Sequence, residues 1–317
     1  MSQRSIPWGM IIVVAVAACS AGDGPFSAGA DASLMADTVP SHDVAHMEGF
    51  AAAFPAPVPD DCLTDVSAGQ HSFTCEGIKI EVSVPDACIE SACGLIFDVP
   101  GGKMNASDED AHTNMRALGK KHGFIVVQPT DPPLTYIVPL YAVLHRVEKA
   151  WHADPKRIHF TGFSSGGFIT WLFLCKYADE LAAVAPGASL LPCTPSGQTD
   201  VLFLAGWKDA VAPYVTSAAS RDALIASWRL GPAQLVAGDG ETYARYRYSN
   251  SRNTVLETLE HDYVTDPAKP LSQNQGHCFP GSKASSGSWW DNLKCKPPNA
   301  FHWGEEVVRF FVAHPRQ

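Results

Sequence analysis

Charge is scarce in this chain of 317 residues, with Asp, Glu, Lys and Arg together at 18%, below the roughly 25% of an average soluble protein. The basic sign is the scarcer one, 23 residues against 33 acidic, for a formal net charge of -10. A nucleic-acid binder needs clustered Lys and Arg to meet phosphates, so the balance argues against that partner. No repeat period occurs, which removes helical solenoids and coiled coils. No apolar run reaches the roughly 20 residues of a membrane-spanning helix. Cys-x-x-Cys is absent as well, and neither a metal nor an organic cofactor is expected. The chain does have 46% hydrophobic residues, 25 Gly and 24 Pro, enough for a large core connected by many turns.

Residues 1–18 place one cation, Arg4, ahead of an almost wholly apolar stretch at 6–18, the length of a signal-peptide core. The stretch closes Val16-Ala17-Ala18-Cys19. Small residues before a cysteine resemble the bacterial lipobox, which implies cleavage and lipidation at Cys19, a membrane as partner, and a place in the cell envelope. Secretion without lipidation is the alternative. Residues 19–59 are rich in Ala, Gly, Ser, Pro and Asp and read as a flexible tether reaching roughly 35 Å. Residues 60–317 are then a single folded domain. Eight cysteines remain in it, an even number suited to disulfides in an oxidising compartment. Pairing of sequence neighbours is the simplest connectivity, including Cys175 with Cys193 and Cys278 with Cys295.

Ile78, Ile80, Val82 and Val84 alternate with polar residues, as a half-buried strand does. The apolar runs at 95–99, 124–127, 158–161, 181–185 and 201–204 have the continuous character of strands covered on both faces. Helical patterns follow or separate them at 108–122, 139–151, 165–177, 217–228 and about 300–313. Such alternation predicts the α/β class, a mostly parallel sheet flanked by helices.

Thr161-Gly162-Phe163-Ser164-Ser165-Gly166-Gly167 stands between one of these strands and a helix. A Gly-x-Ser-x-Gly pattern alone is weak, arising by chance in roughly one chain of this length in ten. Its position gives it meaning. A strand-to-helix turn tight enough to lift a serine above the sheet tolerates only Gly two residues to either side of it. Gly162 and Gly166 meet that demand for Ser164; Ser165 would need Gly where Phe163 stands. Serine is a poor nucleophile without a base, and the base must be oriented by a carboxylate. Asp209 follows the strand at 201–204, and His277 lies in the turn-rich Gln275-Gly276-His277-Cys278-Phe279-Pro280-Gly281. The order Ser, Asp, His is that of the α/β-hydrolase triad. His302, at the start of the last helix, is the rival base. The oxyanion donors expected are the N–H groups of Ser165 and of Gly102, which follows the strand at 95–99. Phe163, Trp207 and Phe279 are candidates for an apolar substrate-binding platform. Trp289 and Trp290 lie nearby but read more simply as packing.

Four segments together resemble the polyhydroxybutyrate depolymerase and feruloyl or acetyl-xylan esterase family. They are Asp154-Pro155-Lys156-Arg157-Ile158, the turn at 161–167, Gly206-Trp207-Lys208-Asp209 with Pro213-Tyr214, and Gly276-His277-Cys278-Phe279-Pro280-Gly281. The likeness covers most of the chain from Leu95 onward. It implies a secreted serine esterase acting on ester bonds in or on polymers, with Ser164, Asp209 and His277 in the triad positions. One departure is Pro100-Gly101, where members of the family usually carry His-Gly. Only 16 positions separate 185 from 201, so no cap domain is expected over the serine, which suits a polymer end or a decorated polysaccharide. The alternatives are a serine peptidase on the same fold and a non-catalytic surface lipoprotein that binds a partner or glycan.

Overall fold

Burial along the central strands decides which side chains the helices must cover. A computed structural model describes residues 54–135, 137–195 and 197–317; the expected signal segment, Cys19 and nearly all of the tether lie outside them. In chain order the elements are β1 (Gly69–Cys75), β2 (Ile78–Val84), β3 (Gly94–Val99), α1 (Ala106–Thr113), α2 (Met115–His122), β4 (Phe124–Pro129), α3 (Ile137–Ala150) and β5 (Ile158–Phe163). They continue with α4 (Ser165–Tyr177), β6 (Ala183–Gly187), β7 (Asp200–Gly206), α5 (Tyr214–Trp228), β8 (Gln234–Gly238), β9 (Tyr243–Ser249), β10 (Val255–His261) and α6 (Trp303–Ala313).

One sheet holds all these strands, in the order β1-β2-β4-β3-β5-β6-β7-β10-β9-β8. From β4 to β10 every neighbour is parallel, while β1, β2, β9 and β8 extend the two sides antiparallel. The expected α/β class is therefore what the chain adopts. Successive side chains of a strand point to opposite faces. Leu95, Phe97 and Val99 of β3 join Phe160 in a core with Leu144, Trp171 and Leu224 from α3, α4 and α5. Ile96 and Phe163 face the other way, with Met115 of α2 and Trp303, Val307 and Phe311 of α6.

Strand β2 and helix α4 span the stretches their patterns predict. The helix expected at 108–122 is two helices, because Asn114 adopts a left-handed conformation with φ 54° that ends α1 and begins α2. The strand expected at 181–185 runs Ala183–Gly187. β10 escapes its pattern because it buries Glu257, Glu260 and His261. Its polarity is paired off: Arg245 and Arg247 of β9 each donate to Glu257, at 2.6 and 2.7 Å. Four disulfides join sequence neighbours, Cys62–Cys75, Cys88–Cys93, Cys175–Cys193 and Cys278–Cys295. Among the described residues no helix or strand intervenes between β6 and β7, so nothing there forms a cap.

The Asn114 break yields a test of local strain. Left-handed geometry costs an ordinary L-residue about 1–2 kcal/mol. Asn114→Val should lose about that much stability in urea unfolding, whereas Asn114→Gly should lose little.

Candidate active site

The turn after β5 is shaped by what its glycines touch. A Cβ on Gly162 would lie 2.6 Å from the carbonyl oxygens of Val99 and Gly166, and one on Gly166 would collide with Val99 O. A Cβ on Gly167 would meet Gly187 O. The end of β3 is thus pressed backbone-to-backbone against the turn. Ser164 sits at its tip with φ 54° and ψ -116°, a conformation that a non-glycine residue holds only where its surroundings enforce it. Its N–H donates to Gly187 O at 2.9 Å and its carbonyl accepts from Phe168 N–H at 2.9 Å, which starts α4.

Asp209 lies in the turn that leaves β7, and its carboxylate is held from two sides. Oδ1 accepts from the N–H groups of Val211 and Ala212 at 2.8 and 2.7 Å. Oδ2 meets His277 Nδ1 at 2.8 Å, with both side chains buried. A carboxylate only accepts, so Nδ1 carries the hydrogen of this bond. The two loops are also zipped together: Asp209 bridges Gln275, and Gly276 N–H donates to Lys208 O at 3.0 Å. A Cβ on Gly276 would lie 2.6 Å from Asp209 N, so the loops of Asp209 and His277 approach this closely only through glycine. The base loop is stapled from behind by Cys278–Cys295.

The His277 imidazole packs on Phe163, the residue before Ser164, with ring centroids 4.9 Å apart. Among the described residues no hydrogen bond joins Ser164 Oγ to His277. The structure therefore links Asp209 to His277 directly, and the His277 ring touches the residue that precedes Ser164. His302 is occupied elsewhere: its Nδ1 accepts from Glu305 N–H at 3.4 Å and caps α6.

The loop expected to hold an oxyanion lies over the start of α4. A Cβ on Gly102 would be 2.9 Å from Ser165 Oγ, and one on Gly101 would be 3.7 Å from Ser164 Cβ. Gly102 is exposed and Ser165 half-buried. The N–H of Ser165 belongs to the first turn of α4, where helical donors have no intrahelical acceptor. The loop is braced from outside by Lys103 N–H, which donates to Asp131 Oδ1 at 2.8 Å.

The aromatic platform needs correction. Phe163 and Phe279 are fully buried and stack on each other with centroids 3.8 Å apart, so they support the site from within and offer no surface to a substrate. Phe279 stacks in turn on His112 at 4.2 Å. Burial holds His112 down to about 4, and the neutral ring bonds Ser282 Oγ at 2.8 Å and the Trp290 carbonyl at 3.0 Å. Trp207 alone of the three is half-exposed; its indole N–H donates to Glu260 Oε2 at 3.2 Å. Pattern reading missed three buried polar residues around the site, Asp98, Glu109 and His112. Asp98 had left a signal, a carboxylate inside the apolar run at 95–99.

No protein-family model matches the chain. A bifunctional acetylxylan esterase/xylanase of Neocallimastix patriciarum is 25% identical over 101 residues, covering 29% of this chain and 15% of that protein. The chain thus matches only a small part of that relative's length. Among solved structures, an acetyl xylan esterase from Aspergillus awamori aligns with TM-score 0.51 and 14% identity, over 61% of this chain and 93% of that one. A thermostable esterase aligns with TM-score 0.50 and 15% identity, over 78% and 63%. The architecture shared with them is the α/β-hydrolase fold.

The glycine contacts make a direct prediction. Gly166→Ala should cost about 3 kcal/mol or more, because the methyl group meets rigid backbone rather than a side chain that can yield. Thermal unfolding of the purified variant measures it, and a loss below about 1 kcal/mol would contradict the described turn.

Proposed function

We propose that this chain of α/β-hydrolase fold is an exported serine carboxylester hydrolase, acting through Ser164, His277 and Asp209 on esters in or attached to polymers. The observation that carries the reading is the 2.8 Å contact between His277 Nδ1 and Asp209, set beside a serine held at φ 54° at the head of α4. His277 Nε2 takes the Ser164 proton as Oγ bonds to the ester carbonyl carbon, and the carbonyl electron pair moves onto oxygen. The N–H groups of Gly102 and Ser165 hold that oxyanion. Its collapse breaks the bond to the alcohol, which leaves with the proton from His277. Water, deprotonated by the same imidazole, then adds to the acyl-enzyme and frees the acid with Ser164 restored. Hydrogen bonds of this kind tighten when substrate is bound, which is when the serine and the base must meet.

An open carboxyl edge supports a large substrate. No element stands between β6 and β7 among the described residues, and Leu134, Leu190, Val211 and Val215 are exposed in the segments that follow β4, β6 and β7. Half-exposure of Trp207, alone of the three expected platform residues, supports it as the aromatic substrate contact. The acetylxylan esterase likeness supports an acetylated polysaccharide as the first polymer to test, ahead of feruloylated polysaccharides and polyhydroxyalkanoates. Export is supported by the four disulfides, which persist in oxidising compartments. Lipidation at Cys19 remains part of the proposal.

A fluorophosphonate probe should label the chain at Ser164 and leave Ser164→Ala untouched. An inert folded protein would instead be a binding module. Nitrophenyl esters, methyl ferulate, acetylated xylan and polyhydroxybutyrate film rank the substrates, and turnover of amides above esters would favour a peptidase. Asp209→Asn should lower kcat by about 10³–10⁴ through loss of the correct imidazole tautomer. Replacing Cys278 and Cys295 with Ser removes a staple worth on the order of 3 kcal/mol in the chain-entropy model. Turnover per folded molecule should fall as well, since the base loop is loosened; unchanged turnover after correction for the unfolded fraction would contradict that role.

A further inference from the structure

Glu260 is buried near the end of β10, where that strand runs beside the last residues of β7. A buried carboxylate is stable only where donors surround it, and this one has four. Oε1 accepts from Arg221 Nη1 of α5 at 2.7 Å and from Thr258 Oγ1 at 3.2 Å. Oε2 accepts from the Tyr214 hydroxyl at 2.5 Å and from the Trp207 indole N–H at 3.2 Å. The two oxygens divide the work. Arg221 answers the negative charge at Oε1, which leaves Oε2 to the other pair of donors. Burial, and then the bond to Glu260, push the Tyr214 phenol up to about 12, so it stays a donor at neutral pH.

The donors on Oε2 belong to one connection. Trp207 is the first residue after β7 and Tyr214 the first of α5, so both ends of the 207–213 segment meet on a single oxygen of another strand. Asp209 lies between them. Its carboxylate follows the segment, because Oδ1 accepts from the Val211 and Ala212 N–H groups of that same stretch. The loop of His277 holds the segment from its other side, through Gly276 N–H to Lys208 O at 3.0 Å and Ala210 N–H to Asn274 O at 3.5 Å. The Trp207 backbone is fixed as well, its N–H donating to His261 O at 2.8 Å. The bond from the indole to Oε2 therefore sets the ring and not the chain. One more side-chain contact ties the segment to β10's end, Lys208 Nζ with Asp262 Oδ2 at 2.8 Å, but it is exposed and such pairs contribute little in water.

We propose that Glu260 is a positioning residue of the hydrolase site: its Oε2 fixes both the segment that carries Asp209 and the orientation of the Trp207 indole toward a substrate. The inference rests on the esterase reading above and deepens it. Its two effects fall on different constants. Asp209 stabilises the imidazolium that forms as the serine attacks, so a loosened segment lowers kcat while substrate binding is kept. The indole is half-exposed and touches the part of a substrate beyond the reacting ester, so a ring free to turn weakens a large substrate more than a small one. Holding a side chain in its bound orientation before the substrate arrives spares the cost of ordering it at binding. A carboxylate present only to answer Arg221 would do neither, since Oε1 suffices for that.

Tyr214→Phe removes one donor from Oε2 and leaves the Arg221 pair intact. Its kcat on nitrophenyl acetate should fall about fivefold or more with KM within about twofold; an unchanged kcat overturns the positioning of Asp209. Asp262→Asn deletes the exposed pair on the same segment and should keep kcat within about twofold. A loss as large as that of Tyr214→Phe would overturn the assignment to Glu260. In Glu260→Gln the amide oxygen faces Arg221 and the NH2 group faces the indole, which loses its acceptor. Its kcat/KM should fall about threefold further on the best polymeric ester than on nitrophenyl acetate, and equal losses overturn the role toward substrate. Fluorine NMR of the full chain labelled with fluorotryptophan reads the ring without any substrate. The Trp207 line, identified by its loss in Trp207→Phe, should shift in Glu260→Gln, and an unmoved line overturns the inference. Should Glu260→Gln fail to fold, Tyr214→Phe decides on kcat, and Glu260→Asp, which withdraws the oxygens by one methylene, decides on the line. A chain inert to fluorophosphonate whose line still shifts sinks the esterase reading and leaves the indole bond standing. A labelled chain whose line and kcat both hold sinks this inference alone.

Discussion

The approach of the β3 carbonyl end to the turn after β5 is the contact on which the rest of the site depends. Val99 O occupies the space that side chains at Gly162 and Gly166 would fill, so two adjacent parallel strands can end at the same height with a helix rising between them. That closeness forces Ser164 to φ 54° and lays the 100–103 loop over the first turn of α4. A serine at the tip and free backbone N–H groups beside it follow from one steric fact. Strain at a single residue is tolerated because the surrounding strands and helix over-determine its conformation.

Asp209 and His277 are governed by a second backbone contact of the same kind. Gly206, Gly276 and the Asp209–Gln275 bridge join the loop leaving β7 to the segment that follows β10. Gln275 takes a conformation close to that of Ser164, φ 45° and ψ -114°. Behind the imidazole, Phe163, Phe279 and His112 form a buried stack that runs from the turn to α1. The His277 imidazole is therefore located by packing and by a disulfide on one side and by a carboxylate with fixed oxygens on the other. Preorganisation of that sort spares the reorganisation a catalytic site would otherwise need at the moment of reaction.

Polar burial on the α1 side of the sheet is the less expected feature. Most buried polar groups here are paired, as Glu257 and Glu260 are by Arg245, Arg247 and Arg221. Unpartnered atoms among the described residues include Asp98 Oδ1, both carboxyl oxygens of Glu109 and both ring nitrogens of His159.

Periodicity and glycine spacing by themselves determined the α/β class, the limits of β2 and α4, and the tight turn between β5 and α4, because each depends on residues a few positions apart. Sequence proximity also sufficed for the disulfide partners, whose loops are short. The tertiary structure alone decided what depends on distant segments meeting. It split 108–122 at Asn114, and it turned β10 into a buried strand by placing Arg245 and Arg247 opposite its carboxylates. It withdrew Phe163 and Phe279 from the surface into a stack, and it buried Asp98 and Glu109. An aromatic side chain in a loop has the same local pattern whether it faces water or a neighbouring ring, and a helical glutamate looks solvated until the fold covers it. Burial is a property of the assembled chain, and the chemistry of a buried group is set by what surrounds it.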